Sequence, residues 1–312
     1  MRHIQGTSLP CGGCVLTIGK FEGIHLGHRI LINKTIERGK ELGLPSVVLA
    51  FEPHPYAALS QGSYKPIYTL KEKAYLLNLM EGLDYMIAYP FSEEFAKTTA
   101  EEFCRVIFES INAKEVYVGE NFGFGSGREG SSSLLKKTGE TYGAKVNITE
   151  LYQGLQESGR FVSSSQIRKL IEEGRLSEAN QQLGHPFFLV GETVSGRQLG
   201  RKIGFPTINI LPSKEKLTPL RGVYATRIFI DGKGYDGITN VGINPTVSES
   251  NRQTVETHVL NQPDSFLSEN FYGYEIMLEF SSFLRHEMKF SSKDALVGQI
   301  NIDINKLLLQ NW

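Results

Sequence analysis

No stretch of this 312-residue chain approaches the roughly 20 consecutive apolar residues of a membrane helix. Met1–Pro10 shows no basic-then-apolar leader pattern. Cysteine is scarce. Three cysteines, an odd number in so long a chain, argue against a disulfide framework and for a reducing cytoplasm as the expected compartment. Cys11 and Cys14 form one CxxC, but no second pair accompanies it and Cys104 stands alone, so two small residues leading into a strand is the plainer reading than zinc or redox chemistry. Neither sign of charge prevails: 33 basic against 34 acidic residues leave a net charge of -1. That balance gives no global attraction to nucleic acid or to an anionic membrane, and neither is expected as a partner. There is no internal repeat, and no low-complexity segment beyond Ser131–Ser133. What is left is an ordinary globular composition, 40% hydrophobic and 21% charged, on a length that suggests two domains.

The first half alternates short apolar runs with segments of helical spacing. Val15–Ile18 precedes a helix over His28–Leu42, which stops at Gly43, a residue suited to a left-handed helix end. Ser46–Phe51 (SVVLAF) reads as a strand buried on both faces, followed by a helix over Thr69–Met80 and a strand at Tyr85–Tyr89. Thr99–Ile111 and Leu134–Tyr142 read as helices; Glu115–Val118 and Lys145–Leu151 read as strands. This alternation predicts an α/β domain with a doubly wound parallel sheet. Ligands of such sheets sit beyond the carboxyl ends of the strands, so the segments after Ile18, Phe51 and Val118 are expected to share one crevice.

The pattern changes near Leu183–Pro186, which sets expected domains of 1–184 and 185–312. Val190–Val194, Gly222–Ile230, Asp236–Val241, Thr254–Leu260 and Tyr274–Phe280 are short and β-rich, predicting a small antiparallel barrel or sandwich, with a closing helix over Lys293–Leu309.

Four segments carry residues with chemical potential. TIGKFEGIHLGHRIL, Thr17–Leu31, places Gly19, Gly23, His25, Gly27 and His28 between a strand and a helix. Glycines there admit a ligand close to the backbone, and a helix N-terminus offers free N–H groups to an anion. Zinc, phosphate or a plain turn are the three readings, zinc being weakened by the scattered settings of the remaining histidines. In VSSSQIRKLI, Val162–Ile171, Ser163 and Ser164 precede an amphipathic helix with Arg168 near its first turn, either a serine cap with a solvated arginine or an anion site. GRQLGRKIGFPTINI spaces Gly196, Gly200 and Gly204 ahead of Thr207 and Asn209, which alternate on a strand and offer hard oxygen ligands for Mg²⁺. In TVETHVL, Glu256 and His258 share one strand face, where a carboxylate could deprotonate a hydroxyl.

Taken together, HxGH after a first strand and SSxxIR opening a later helix resemble the nucleotidyltransferase superfamily. FEPHP (Phe51–Pro55), VGENFGFGSGREG (Val118–Gly130) and SSSQIR narrow the resemblance to the adenylyltransferase half of the prokaryotic bifunctional riboflavin kinase/FAD synthetase family. GFPTIN, GVYAT, TNVGINPTV, VETHVL and YGYEIMLEFSSFLRHEMKF come in the order of that family's riboflavin kinase domain, from about Phe187 onward. The resemblance implies ATP and the flavins riboflavin, FMN and FAD as substrates and products, with Mg²⁺ as cofactor. It implies phosphate or ATP contacts at Gly19, His25, Gly27, His28, Ser163, Ser164 and Arg168, and flavin contacts at Pro53, His54 and Asn121. In the second half it implies ATP contacts at Gly196, Gly200, Gly204 and Thr207, metal on Thr207 and Asn209, Glu256 as base, and Arg285 beside the flavin. The chain departs from the family at Lys20 and Glu22, where Asn and Asp are usual, at Ser165 for Thr, at Gly123 for a larger residue, and at Ile208 for Ala. Two rival readings stand beside the bifunctional enzyme: a kinase whose adenylyltransferase half is weakened by Lys20 and Glu22, and a flavin-binding regulatory protein on the same scaffold.

Overall fold

A computed structural model describes residues 1–7, 9, 12–60, 64–150, 152, 161–196, 199–243, 253–261 and 272–308. Cys11, Arg197, Gln198, Leu309 and positions 244–247 of TNVGINPTV therefore lie outside the described residues. The chain forms two compact units, Met1–Ser164 and Ser165–Trp312.

The first unit is built on six parallel strands: β1 Arg2–Gln5, β2 Cys14–Gly19, β3 Ser46–Glu52, β4 Tyr85–Pro90, β5 Ala113–Gly119 and, after the two-residue strands β6 Gly123–Phe124 and β7 Gly130–Ser131, β8 Lys145–Thr149. Their order across the sheet is β1-β4-β3-β2-β5-β8. The chain runs outward from β2 through β3 to β4, then crosses back to β5 and continues to β8, so the topological switch lies between β2 and β5. The central strands are apolar on both faces: Cys14–Ile18 and Ser46–Phe51 are buried throughout. Helix α1 (Leu26–Leu42) ends at Gly43 with φ 63, and the cap N–H bonds back to Gly39 O and Lys40 O. After α2 (Pro55–Leu59), helices α3 (Leu70–Asn78) and α4 (Ala100–Arg105) both open on capping boxes, Thr69 with Glu72 and Thr99 with Glu102. The segment expected as one helix over Thr99–Ile111 loosens into a π-helical turn at Val106–Ser110, and α5 (Ser132–Thr141) follows with Ser131 as N-cap. The edge strand β1 has no counterpart in the sequence reading.

The second unit starts with α6 (Ser164–Glu172), whose first residue stands at the division, and α7 (Leu176–Leu183). The sequence boundary near 184 follows a change in composition; the contacts group these two helices with the strands that come after. Asn180 of α7 is one reason: its amide donates to Phe280 O at 2.8 Å and accepts from Phe187 N at 2.7 Å. Strands β9 (Phe187–Val194), β10 (Thr207–Pro212), β11 (Gly222–Ile230), β12 (Lys233–Ile243), β13 (Gln253–Val259) and β14 (Glu275–Arg285) close a barrel in the order β10-β13-β12-β11-β14-β9, with a single helical turn, α8 (Leu199–Lys202), between β9 and β10. All its pairings are antiparallel, and the β9–β10 pairing decides for barrel over sandwich. Helix α9 (Lys293–Leu308) lays Leu307 and Ile304 against Val223, Ala225 and Ile238. On the opposite face of those strands the hydroxyls of Thr226, Thr239 and Thr257 form a buried chain at 2.7 and 2.8 Å, so each polar group taken from water has a partner.

Candidate active sites

Burial holds the loop after β2 in a strained backbone shape. Phe21 and Ile24 sit at φ 44 and 45, left-handed values unusual for bulky residues, and both side chains are fully buried. The loop delivers His25 as the N-cap of α1, where its Nδ1 accepts from His28 N at 3.3 Å. A neutral ring accepting at Nδ1 carries its proton on Nε2, a donor for a ligand. The two imidazoles stack at 3.6 Å between centroids, and Phe21 packs edge-on to His28 at 5.1 Å. Burial pushes His25 down to about 4; burial, then the charges of His25 and Lys20, hold His28 well below its usual value. Both rings are therefore neutral near pH 7. Gly27 sits close against the stack: a Cβ there would lie 3.3 Å from His25 Cε1, a tight contact. Among the described residues no trio of His, Cys, Asp or Glu has metal-binding geometry.

A cavity of about 580 Å³ opens at the carboxyl ends of the strands around the switch point. Gly19 and Lys20 at the end of β2, and Asn121–Gly125 after β5, form part of its wall. The wall is strongly aromatic, with Phe51, Phe91, Phe95, Phe103, Phe122 and Phe124 presenting rings suited to a flat aromatic ligand. Asn121 lies in the wall of this cavity. Pro53 and His54 do not line the cavity, although Pro55 and Tyr56 do. His54 is buried instead: its Nδ1 caps α2 by accepting from Tyr56 N, and its ring stacks on Tyr64. Glu22 is also buried, with one carboxylate oxygen accepting from Ile67 N at 3.1 Å and the other 3.8 Å from His54 Nε2. The phenylalanines went unrecognised in the sequence because each reads as ordinary core. The usable signal was the position of Phe51, Phe91 and Phe122 at or just beyond strand ends.

Ser163 is exposed and Ser164 half-buried at the division between the units; Arg168 is half-buried on α6 in the second unit.

In the barrel, strand register does the assembling. β10 pairs with β13 so that Thr207 faces His258 and Asn209 faces Glu256. β12, on the other side of β13, sets Asn240 opposite Glu256. Directly opposed residues of an antiparallel pair project to the same face with Cβ atoms about 5 Å apart. Asn209, Glu256 and Asn240 therefore form a polar row across three strands, all half-buried, while the intervening Val255 and Thr257 are buried. Asn240 is the member that sequence reasoning left without a role. His258 Nδ1 lies 2.9 Å from Pro206 O, and burial lowers its pKa. Gly196 is needed where it stands, because a Cβ would overlap the Asn209 amide. Gly200 answers a different need: its Cβ would strike the carbonyl oxygen of Phe205 in the turn that follows α8. The guanidinium of Arg285 meets Asp303 through Nε at 2.9 and 3.1 Å and Nη2 at 2.9 Å, and Nη1 donates to His286 O at 3.0 Å. It ties β14 to α9.

Two comparisons bear on what these sites do. The FAD synthetase family matches residues 10–166 and the riboflavin kinase family matches residues 183–309. Bifunctional riboflavin kinase/FMN adenylyltransferase of Escherichia coli strain K12 is 37% identical over 97% of this chain and 96% of its own length. The chain belongs to the bifunctional riboflavin kinase/FMN adenylyltransferase family. Members from Pseudomonas fluorescens and Listeria monocytogenes are 32% and 30% identical over 94% and 93% of the chain, covering 91% and 90% of their own lengths. A crystal structure described as a macrolide-efflux protein from Streptococcus pneumoniae shares the fold, with a TM-score of 0.86 at 28% identity and 99% of each chain covered. No helix among the described residues here is long and apolar enough to cross a membrane. As a member of this family the chain is a riboflavin kinase and an FMN adenylyltransferase, acting on riboflavin, FMN and ATP.

Proposed function

We propose a division of labour between the two units, residue by residue. In the barrel, Glu256 takes the proton of the riboflavin 5′-hydroxyl as its oxygen attacks the γ-phosphorus of ATP, giving FMN and ADP. The pairing of Asn209 directly across from Glu256 carries this reading, because it sets a carboxylate beside an amide oxygen on the same rigid ladder. A hydroxyl, an amide carbonyl and a neighbouring carboxylate are hard oxygen donors, and Gly196 leaves room for the Asn209 amide, so the residues fit Mg²⁺. Thr207 and Asn209 would hold the ion, which when bound neutralises charge on the phosphates. Gly196, Gly200 and Gly204 belong to the loop that covers those phosphates. The engagement of Arg285 with Asp303 favours a positioning role, holding β14 at the flavin side of the barrel.

In the first unit the flavin ring occupies the aromatic cavity beside Asn121. An oxygen of the FMN phosphate attacks the α-phosphorus of ATP, the α–β bridging bond breaks, and pyrophosphate leaves with the bonding electron pair. No protein nucleophile is needed, since the FMN phosphate already carries charge. His25 and His28, neutral and stacked, donate to the phosphates as charge shifts to the leaving group. Gly19 and Gly27 let those phosphates approach the backbone, and Ser163 and Ser164 supply further phosphate contacts. Pro53 and His54 support the cavity from behind, through Pro55 and Tyr56.

Separating FMN from FAD after incubation with riboflavin and ATP tests the division. Glu256→Gln should abolish FMN formation yet still convert supplied FMN to FAD; His28→Ala should still make FMN but no FAD. Loss of both activities in both variants would refute it.

A further inference from the structure

The aromatic cavity has two cations in its wall, Lys20 and Arg128, and they are differently placed. Arg128 is engaged with its own loop: Nη2 donates to Asn121 O at 3.3 Å, and its guanidinium lies across Gly123, where a Cβ would come within 2.9 Å of Nε. A side chain at position 123 would displace it. Lys20 is exposed and makes no ion pair among the described residues. Its ammonium stands 4.5 Å from the centre of the Tyr56 ring, a contact that holds the side chain at the cavity wall and leaves the N–H groups for a ligand. The next residue, Phe21, packs edge-on against His28. Lys20 therefore lies on the span between the aromatic cavity and the stacked histidines, and its charge is felt at His28.

We propose that Lys20 makes the first unit selective for a phosphorylated flavin, its ammonium taking the 5′-phosphate of FMN at the point where the flavin cavity meets the histidine pair. The inference rests on the reading of this unit as the FMN adenylyltransferase. Riboflavin and FMN share the ring that the phenylalanines grip and differ only at the chain terminus, a neutral hydroxyl against a phosphate near −2. Phenylalanines cannot distinguish the two; a cation at the exit of the cavity can. Such a cation also offsets repulsion between the FMN phosphate and the triphosphate it must approach. Lys20 then serves substrate choice and does not weaken the site.

The test is steady-state FAD formation from FMN and ATP by the full chain, with lumiflavin, which lacks any side-chain hydroxyl or phosphate, as a competitive inhibitor reporting on the ring site alone. Lys20→Asn should raise KM for FMN about tenfold, the scale of one charge-assisted contact. The Ki of lumiflavin and KM for ATP should move less than twofold, and Lys20→Arg should restore most of the affinity for FMN. An equal rise in lumiflavin Ki would overturn the proposal, because Lys20 would then only buttress Tyr56. A rise confined to KM for ATP would overturn it in favour of a nucleotide contact, as would an unchanged KM for FMN. A native chain that makes no FAD at all would instead remove the adenylyltransferase reading on which the proposal stands.

Discussion

The stacked histidines predict an acid sensitivity whose size follows from their burial. His25 titrates near 4 in the folded protein and near 6.5 when unfolded. Between those values the unfolded chain holds a proton that the folded chain refuses, so stability falls as pH drops from 6.5 toward 4 and is fully present above. At pH 5 the difference amounts to about 2 kcal/mol from His25 alone. His28 is displaced in the same direction, for the same leading reason, and adds to the loss. The comparison that isolates His25 is His25→Asn, because Asn is a good N-cap and can still accept from the N–H of residue 28. Urea unfolding followed by far-ultraviolet circular dichroism, at pH 7 and pH 5, gives the loss for each chain. The native chain should lose about 2 kcal/mol more than the variant across that interval. Imidazole proton NMR of the folded protein should show His25 still neutral at pH 5. Equal losses in the two chains, or an imidazole titrating near 6.5, would refute the argument that burial keeps this pair uncharged.

Other substitutions probe the remaining features. Asp303→Ala should cost about 3 kcal/mol in thermal or urea unfolding, since it strands the largely buried Arg285 guanidinium. Gly125→Ala places a Cβ 2.8 Å from Ala100 N at a φ of 74; it should destabilise the first unit by more than 1 kcal/mol and weaken FMN binding, while riboflavin phosphorylation continues. Gly196→Ala should do the reverse, lowering FMN formation at least tenfold by displacing the Asn209 amide and leaving conversion of supplied FMN to FAD intact. Asn240→Ala should reduce kcat for riboflavin phosphorylation with little effect on folding, and an unchanged rate would remove it from the polar row.

How far the sequence could be read depended on whether a feature was local. The parallel sheet was legible because SVVLAF and its equivalents are buried on both faces and alternate with helical spacing. Glu256 and His258 were assignable to one strand face by period alone, as were Thr207 and Asn209. That these two pairs stand directly opposite each other was not, because register between β10 and β13 is fixed across a separation of nearly fifty residues. Barrel closure through β9 and β10 is non-local in the same sense. Strand β1, RHIQ, carries no strand-like apolar alternation; it is a strand because the edge of β4 offers it a ladder. In the adenylyltransferase half the histidines were legible from HxGH, but their neutrality needed the observed burial and stacking. Glu22 looked like a phosphate-loop carboxylate and is instead turned inward onto Ile67 N and toward His54. His54, expected at the flavin from the resemblance, is buried as a cap of α2 and a stacking partner of Tyr64, and the wall of the aromatic cavity is formed by its neighbours Pro55 and Tyr56.

The row Asn209–Glu256–Asn240 behaves as a graduated ruler. Its divisions are strand spacings, so the interval between the proposed base and the amide beside it does not depend on any connecting loop. Insertions between the strands can change what covers the barrel without altering that interval. A deletion of one residue within β13, however, would bring Val255 or Thr257 to the mark now held by Glu256 and send the carboxylate to the other face. Drift among descendants of this kinase is therefore expected to accumulate in loop length and to avoid strand length. A variant with an altered loop should keep the chemistry while changing which flavin or nucleotide is admitted to it.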